Sequence, residues 1–203
     1  MALGWPSVLD ERLQAAGLDV RGDVRERLVA YLTLLGRWNR VINLTSHDLS
    51  VPSAGAIDRL IVEPVQAARL IPKDHRSLLD VGSGGGSPAV PIALHNPVLR
   101  LTMVESRERK ASFLREAIRV LGLDASVEGR RFEDVSSEPG RRGSVDTVSL
   151  RAVRLDASIL NGVDRVLAAD GILLALGCGP VGDTRFVCTP FSGGVLARKC
   201  LVK

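Results

Sequence analysis

A chain of 203 residues, 45% hydrophobic and 25% charged, is long enough to bury a substantial core, and these proportions exclude wholesale disorder, collagen and polar low-complexity structure. The net charge of +4, from 27 basic and 23 acidic residues, permits a polyanionic partner without demanding one. Aromatic residues make up only 3% against 20 glycines, which disfavours a platform that stacks single-stranded bases and directs attention to where the glycines fall.

Asp10 and Glu11 arrive before any long apolar run, so no secretory signal is expected, and no uncharged apolar stretch is long enough to span a membrane. The chain is therefore expected to be cytoplasmic. Val8 to Ala16 reads as a short amphipathic helix stopped by Gly17. From Asp23 to Trp38, the apolar residues Val24, Leu28, Tyr31, Leu32, Leu35 and Trp38 recur at helical spacing. Residues 1–70 are thus predicted to be a helical portion without strands, forming one compact unit with residues 71–203.

Past Pro72 the pattern changes. Ser77 to Val81 is a short apolar run ending in glycines, as a buried parallel strand does. Pro88 to Leu94 reads as a helix with Ser87 as its cap and Pro88 at its first position. Leu101 to Val104 is a second strand, and Ser106 is predicted to cap a helix that bears Phe113, Leu114, Ala117, Ile118 and Leu121 and closes at Gly122. Ser126 to Glu128, Val145 to Ser149 and Ile172 to Leu176 are further strands, with a helix over about 155–168. Arg185 to Lys203 alternates and turns at Gly193-Gly194, the pattern of a terminal antiparallel hairpin. The class is α/β: a doubly wound, mostly parallel sheet whose ligand sits at the carboxyl ends of the strands. Cys178, Cys188 and Cys200 lack paired zinc spacing and are expected as reduced thiols buried on strands, so no metal site is predicted.

The first strand-to-helix turn is Asp80-Val81-Gly82-Ser83-Gly84-Gly85-Gly86-Ser87. Glycines bring the backbone close to a ligand, and the helix start beyond them offers free N–H groups. Glu105 follows the second strand, where a carboxylate can accept hydrogen bonds from both ribose hydroxyls. A dinucleotide fingerprint counted from Gly82 requires glycine at position 87, and Ser87 stands there. The acid-x-Gly-x-Gly-x-Gly spacing instead resembles the first motif of class I S-adenosylmethionine-dependent methyltransferases.

A narrower resemblance rests on Tyr31-Leu32, Trp38-Asn39-Arg40 and Asn43-Leu44-Thr45, on the glycine loop running into Pro88, Pro91 and Ile92, on Glu105-Ser106 with Lys110 and Phe113-Leu114, and on Ser149-Leu150-Arg151-Ala152. In this order they resemble the RsmG (GidB) family, over about residues 24–176. The resemblance implies a Rossmann-like methyltransferase fold, S-adenosyl-L-methionine as cofactor and methylation of guanine N7 in the 16S rRNA of the small ribosomal subunit, by a monomer. It implies cofactor contacts from Asp80, Gly82, Ser83, Gly84, Gly86, Ser87, Glu105, Ser106, Phe132, Glu133 and Arg151, with Phe132 against the adenine. Arg151 and Asp58 are the expected catalytic residues, Asp58 or Glu133 stabilising the cationic product. Two other classes share these motifs, a methyltransferase with a small-molecule or protein substrate and a ribosome-associated RNA-binding module.

Guanine N7 carries a free lone pair, so no general base is required, and the sequence supplies none: His47, His75 and His95 each stand alone and are expected at the surface or at helix ends. RNA affinity is expected to come from phosphate contacts. Residues 100–154 hold 12 basic and 9 acidic residues, among them Arg107, Arg109, Lys110, Arg130, Arg131, Arg141 and Arg142, and the tail adds Arg198, Lys199 and Lys203. The chain departs from the family pattern before the sheet, reading Gly55-Ala56-Ile57-Asp58-Arg59 where His-x-x-Asp-Ser is usual. It also has Gly177 in place of a lysine after the fifth strand.

Overall fold

The computed structural model describes residues 4–179 and 181–200. Trp5–Ala15 forms α1 and Gly22–Asn39 forms α2. In α2 the residues Val24, Leu28, Tyr31, Leu32 and Leu35 are buried, because their spacing of three and four puts them on one face. Asn39 Oδ1 then accepts from the N–H groups of Leu44 at 2.9 Å and Thr45 at 3.0 Å, tying down the loop that follows. A third helical stretch begins as α3, Ala54–Ile57, where the Ser53 side chain accepts from the Ala56 N–H at 3.3 Å. It passes through a π-helical turn, Asp58–Val62, into α4, Glu63–Ala68. Neither this stretch nor α7 below follows from apolar periodicity.

Seven strands form one sheet: β1 Ser77–Val81, β2 Arg100–Val104, β3 Ala125–Glu128, β4 Val145–Arg151, β5 Leu167–Leu176, β6 Phe186–Phe191 and β7 Gly194–Lys199. Their order is β3-β2-β1-β4-β5-β7-β6, with the first five parallel and β7 antiparallel to both neighbours. Helices α5 (Ala89–His95), α6 (Glu108–Leu121), α7 (Phe132–Ser137) and α8 (Ala157–Val166) connect the parallel strands.

Side chains alternate across a strand, and β5 shows what this does. Ile172, Leu174 and Leu176 face the core under α1–α6, while Leu173 and Ala175 face the core under α7 and α8. The sheet is therefore covered on both sides, which explains its continuous apolar runs. The first core joins Leu9 and Leu28 of the N-terminal helices to Leu78, Ile92 and Phe113 of the sheet layer. Trp38 packs edge-to-face on Phe113, ring centroids 5.8 Å apart, fastening α2 to α6.

Several local expectations are corrected. Ser87 does not cap α5; its hydroxyl donates to the Leu60 carbonyl at 2.9 Å, and Pro88 takes the cap position. Ser106 does not cap α6, which starts at Glu108; Glu105 Oε1 instead accepts from the Arg107 N–H at 2.9 Å. The cysteines are half-buried rather than buried, and only Cys188 lies on a strand. His75 is neither at the surface nor at a helix end: it is buried, with Nδ1 2.8 Å from Thr147 Oγ1. Among the described residues no helix is long and apolar enough to cross a membrane.

Candidate functional site

A cleft of about 400 Å³ opens at the carboxyl ends of β1 and β4, within the range of small-molecule sites. The glycine loop forms its floor, Arg151, Ala152 and Val153 one wall, and residues 43–47 with Arg59 and Leu60 another. Gly82 turns with φ +67, and a β-carbon there would lie 2.9 Å from Val153 Cγ2, so both the turn and the closeness of the wall demand glycine. Gly85 serves a different purpose. A β-carbon on it would meet the Leu44 carbonyl at 3.0 Å, and its own carbonyl accepts from the buried Tyr31 hydroxyl at 2.7 Å. The helical portion is thus sewn directly to the loop.

Glu105, buried at the end of β2, holds the loop open from the other side. Its Oε2 accepts from the Gly84 N–H at 3.0 Å, while Oε1 holds Arg107. Asp80 lies beneath the loop, almost wholly buried; Ser149 donates to its Oδ1 at 2.6 Å, whereas Oδ2 has no partner. Burial pushes the Asp80 carboxyl up to about 6, against the lowering pull of the hydrogen bond from Ser149, while the Ser83 hydroxyl donates to the Asp80 backbone carbonyl at 3.2 Å.

Arg151 points into the cleft with only 9% of its side chain exposed. Its Nη2 donates to Glu63 Oε2 at 2.9 Å and its Nη1 to the Arg59 carbonyl. Burial, with the neighbouring Arg59 charge, brings its guanidinium down to about 10. Ala152 beside it carries φ 56, a left-handed backbone unusual for alanine and concentrated at functional sites.

The structure thus brings Gly82, Ser83, Gly84, Ser87 and Arg151 together as cleft lining, with Asp80, Gly86 and Glu105 supporting the loop. It does not bring Asp58 there. On the π-helical turn the Asp58 side chain faces α1, where Arg12 donates to both its oxygens at 2.8 and 3.0 Å, and its neighbour Arg59 turns into the cleft instead. Phe132 is also relocated. It is buried between α7 and α8, where a β-carbon on Gly162 would lie 2.6 Å from its ring, and the ring is not part of the cleft lining. Glu133 and Ser106 are exposed outside the cleft lining.

Arg107 and Lys110 line the cleft, whereas Arg130 and Arg141 are held in ion pairs with Glu128 and Glu138. Arg109 donates to the Val41 carbonyl at 3.3 Å, Arg131 and Arg198 are exposed, and Arg142 lines a separate groove. Lys199 pairs with Asp164, and Lys203 lies outside the described residues. His47 and Arg59 are the charged or titratable lining residues that sequence reasoning missed. They come from an aperiodic stretch, and for Arg59 the one available signal was its departure from the family pattern. That departure and the one at Gly177 coincide in space, since a β-carbon at Gly177 would collide with the Arg59 guanidinium. Among the described residues no group of three or more His, Cys, Asp or Glu side chains is placed to hold a metal.

A family model described as GidB, rRNA small subunit methyltransferase G, matches residues 24–179. A ribosomal RNA small subunit methyltransferase G from Halorhodospira halophila is 35% identical over 170 residues, covering 83% of this chain and 76% of its own length. One of the same name from Xanthomonas campestris is 36% identical over 173 residues, covering 84% and 76%. In fold, the chain is similar to a methyltransferase from Geobacter sulfurreducens (TM-score 0.62, 17% identity, 95% and 100% of the two chains). It is similar also to a SAM-dependent methyltransferase from Aquifex aeolicus (TM-score 0.56, 16% identity, 71% and 93%).

Proposed function

The chain belongs to the GidB family of rRNA small subunit methyltransferase G, and from that premise we propose that it is an S-adenosylmethionine-dependent enzyme that methylates N7 of a guanine in 16S rRNA. The observation that carries this reading is the cleft itself, with an open glycine loop and a buried carboxylate on one side and arginines on the other. The residues fit the cofactor. A β-carbon at Gly84 would meet nothing nearer than the Gly82 carbonyl at 3.7 Å, so the loop is open to a ligand there. The bare Oδ2 of Asp80 gives a cationic ligand group a nearby counter-charge.

In this reading Gly82, Ser83 and Gly84 receive the cofactor along their backbone. Glu105 has lone pairs left for ribose hydroxyls after serving Gly84 and Arg107. Arg151 and Ser87 sit at the β4 end, 3.3 Å apart, where the acceptor base approaches. When bound, the cofactor would supply an electrophilic methyl carbon on a sulfonium: the guanine N7 lone pair would bond to that carbon in line as the carbon–sulfur bond breaks, leaving a neutral thioether and the positive charge on the base. The chain's contribution is alignment and exclusion of water, and effective molarity of this kind lowers barriers by about 7–11 kcal/mol. His47 need not act as a base, because N7 has no proton to lose.

The same reading places the enzyme on the small ribosomal subunit, as a monomer in the cytoplasm. The test is labelled methyl transfer to small subunits that lack the modification, with deproteinised RNA in parallel and the modified base mapped. Label at a guanine N7 in the RNA is the expected result. Label only on protein or on a small molecule refutes the substrate, and absence of cofactor binding refutes the enzyme.

A further inference from the structure

Above the carboxyl end of β5, two arginines share one carboxylate. Glu63 Oε2 accepts from Arg59 Nη1 at 2.9 Å and from Arg151 Nη2 at 2.9 Å, so the three side chains together leave one positive charge. The place for Arg59 is prepared on two sides. Gly177, with φ +67, offers bare backbone where any side chain would displace the guanidinium. Gly193, at the β6–β7 turn, packs on Glu63 so closely that a β-carbon would lie 3.0 Å from Glu63 Cγ. The Gly177 N–H donates to the Gly193 carbonyl at 2.7 Å, locking the two glycines together.

The two arginines differ in access. The Arg151 side chain is 9% exposed and Arg59 34%, so only Arg59 can be reached by a large molecule lying across the opening. In the sheet order β5 stands three strands from β2, the strand that ends in Glu105, roughly 14 Å at ordinary strand spacing. Arg59 is therefore far from the carboxylate expected to hold the ribose. Arg107 and Lys110 line the cleft as well, giving it cations beyond the arginine pair. The cofactor, with a sulfonium and an ammonium against one carboxylate, is cationic overall, so a surplus of positive charge favours an incoming polyanion over it. The planar fork of a guanidinium suits a phosphate in particular.

We infer that Arg59, set by Glu63 and given room by Gly177, grips a phosphodiester of the RNA strand beside the target base. This rests on the RNA-methyltransferase reading above.

The experiment measures methyl transfer to unmodified small-subunit RNA at several salt concentrations, together with S-adenosylmethionine Kd, for the wild-type chain, Arg59→Met, Arg59→Lys and Gly177→Ala. Arg59→Met is expected to raise the RNA KM about tenfold, to leave kcat and cofactor Kd within about twofold, and to flatten the slope of log KM against log salt by about 0.7, the share of one phosphate contact on a single strand. Arg59→Lys should recover part of the KM and the salt slope, because it restores charge but not the fork. Gly177→Ala, which displaces the guanidinium without deleting it, should raise KM in the same direction and keeps the inference testable if Arg59→Met does not fold. An unchanged RNA KM in Arg59→Met overturns the inference, as does a cofactor Kd that rises in step with KM. A wild-type chain that binds cofactor but transfers no methyl to RNA overturns the substrate reading itself, a result distinct from either.

Discussion

Asp80 illustrates how a single residue can be placed for function at a cost to the fold. Its carboxyl lies under the glycine loop with one oxygen bonded to Ser149 and the other bare, and burial lifts it to about 6 from an ordinary 3.8. Because the folded value lies above the unfolded one, the contribution of this group to stability is full below about pH 4 and is lost as the pH rises through 6. At pH 7.5 the folded chain carries a buried charge whose penalty is on the order of 3 kcal/mol. Asp80→Asn keeps the shape and the acceptor for Ser149 while removing the charge. Chemical denaturation at pH 7.5 should therefore show the variant more stable by ~1–3 kcal/mol, with the advantage shrinking towards zero near pH 4. Its affinity for the cationic cofactor should fall in exchange, a trade common at functional sites. A stability gain of equal size at both pH values contradicts the assignment of the penalty to Asp80.

Between elements, two glycines with similar crowding should give different phenotypes. A β-carbon on Gly162 meets the Phe132 ring at 2.6 Å, between α7 and α8 and away from the cleft. On Gly85 it meets the Leu44 carbonyl at 3.0 Å, where the loop after α2 forms the cleft wall. Each alanine should cost ~1–3 kcal/mol by overpacking. Below the melting transition, calorimetric titration should find S-adenosylmethionine Kd unchanged in Gly162→Ala and raised in Gly85→Ala; equal Kd values in the two variants refute this division. The same contrast explains what the sequence could reveal. The strand Ser77–Val81 and the hairpin turn at Gly193 were legible because burial on both faces and tight turns leave local signatures. The cleft floor was legible for the same reason, from Asp80 through Ser87, and so was Glu105. The wall built by residues 43–47 and by Arg59 was not, because it comes from a loop and a π-helical turn whose side-chain directions depend on contacts with distant strands. Asp58 and Arg59 are adjacent in sequence, yet one faces Arg12 and the other Gly177. Phe132 was undecided for a related reason: an aromatic residue just past β3 reads equally well as a ligand wall or as core, and it is the approach of α8 that buries its ring.

At the scale of the whole molecule, the helical portion and the sheet share a core. Leu9, Leu28 and Ile57 lie in one apolar cluster with Leu78, Leu101 and Ile172, so the helical portion has no core of its own, whereas the second cluster, under α7 and α8, belongs to residues 71–203 alone. Tyr31 to Gly85, Trp38 to Phe113 and Arg27 to the carbonyl of Leu121 add cross-links between α2 and the sheet layer. Residues 1–70 should therefore not melt independently of residues 71–203. The chain carries its own reporters for this test. Both tryptophans, Trp5 and Trp38, lie in the helical portion, while Cys178, Cys188 and Cys200 lie at or beyond the end of β5. Urea unfolding followed by tryptophan fluorescence should share one midpoint with unfolding followed by thiol labelling and by far-ultraviolet circular dichroism, as cooperative unfolding requires. Midpoints separated by more than about 0.5 M, worth ~1 kcal/mol at a typical slope, mark the two portions as separate folding units. Coincident midpoints that rise together when cofactor is added, by the linkage of binding to folding, show that the helices stabilise the cleft as part of one cooperative unit.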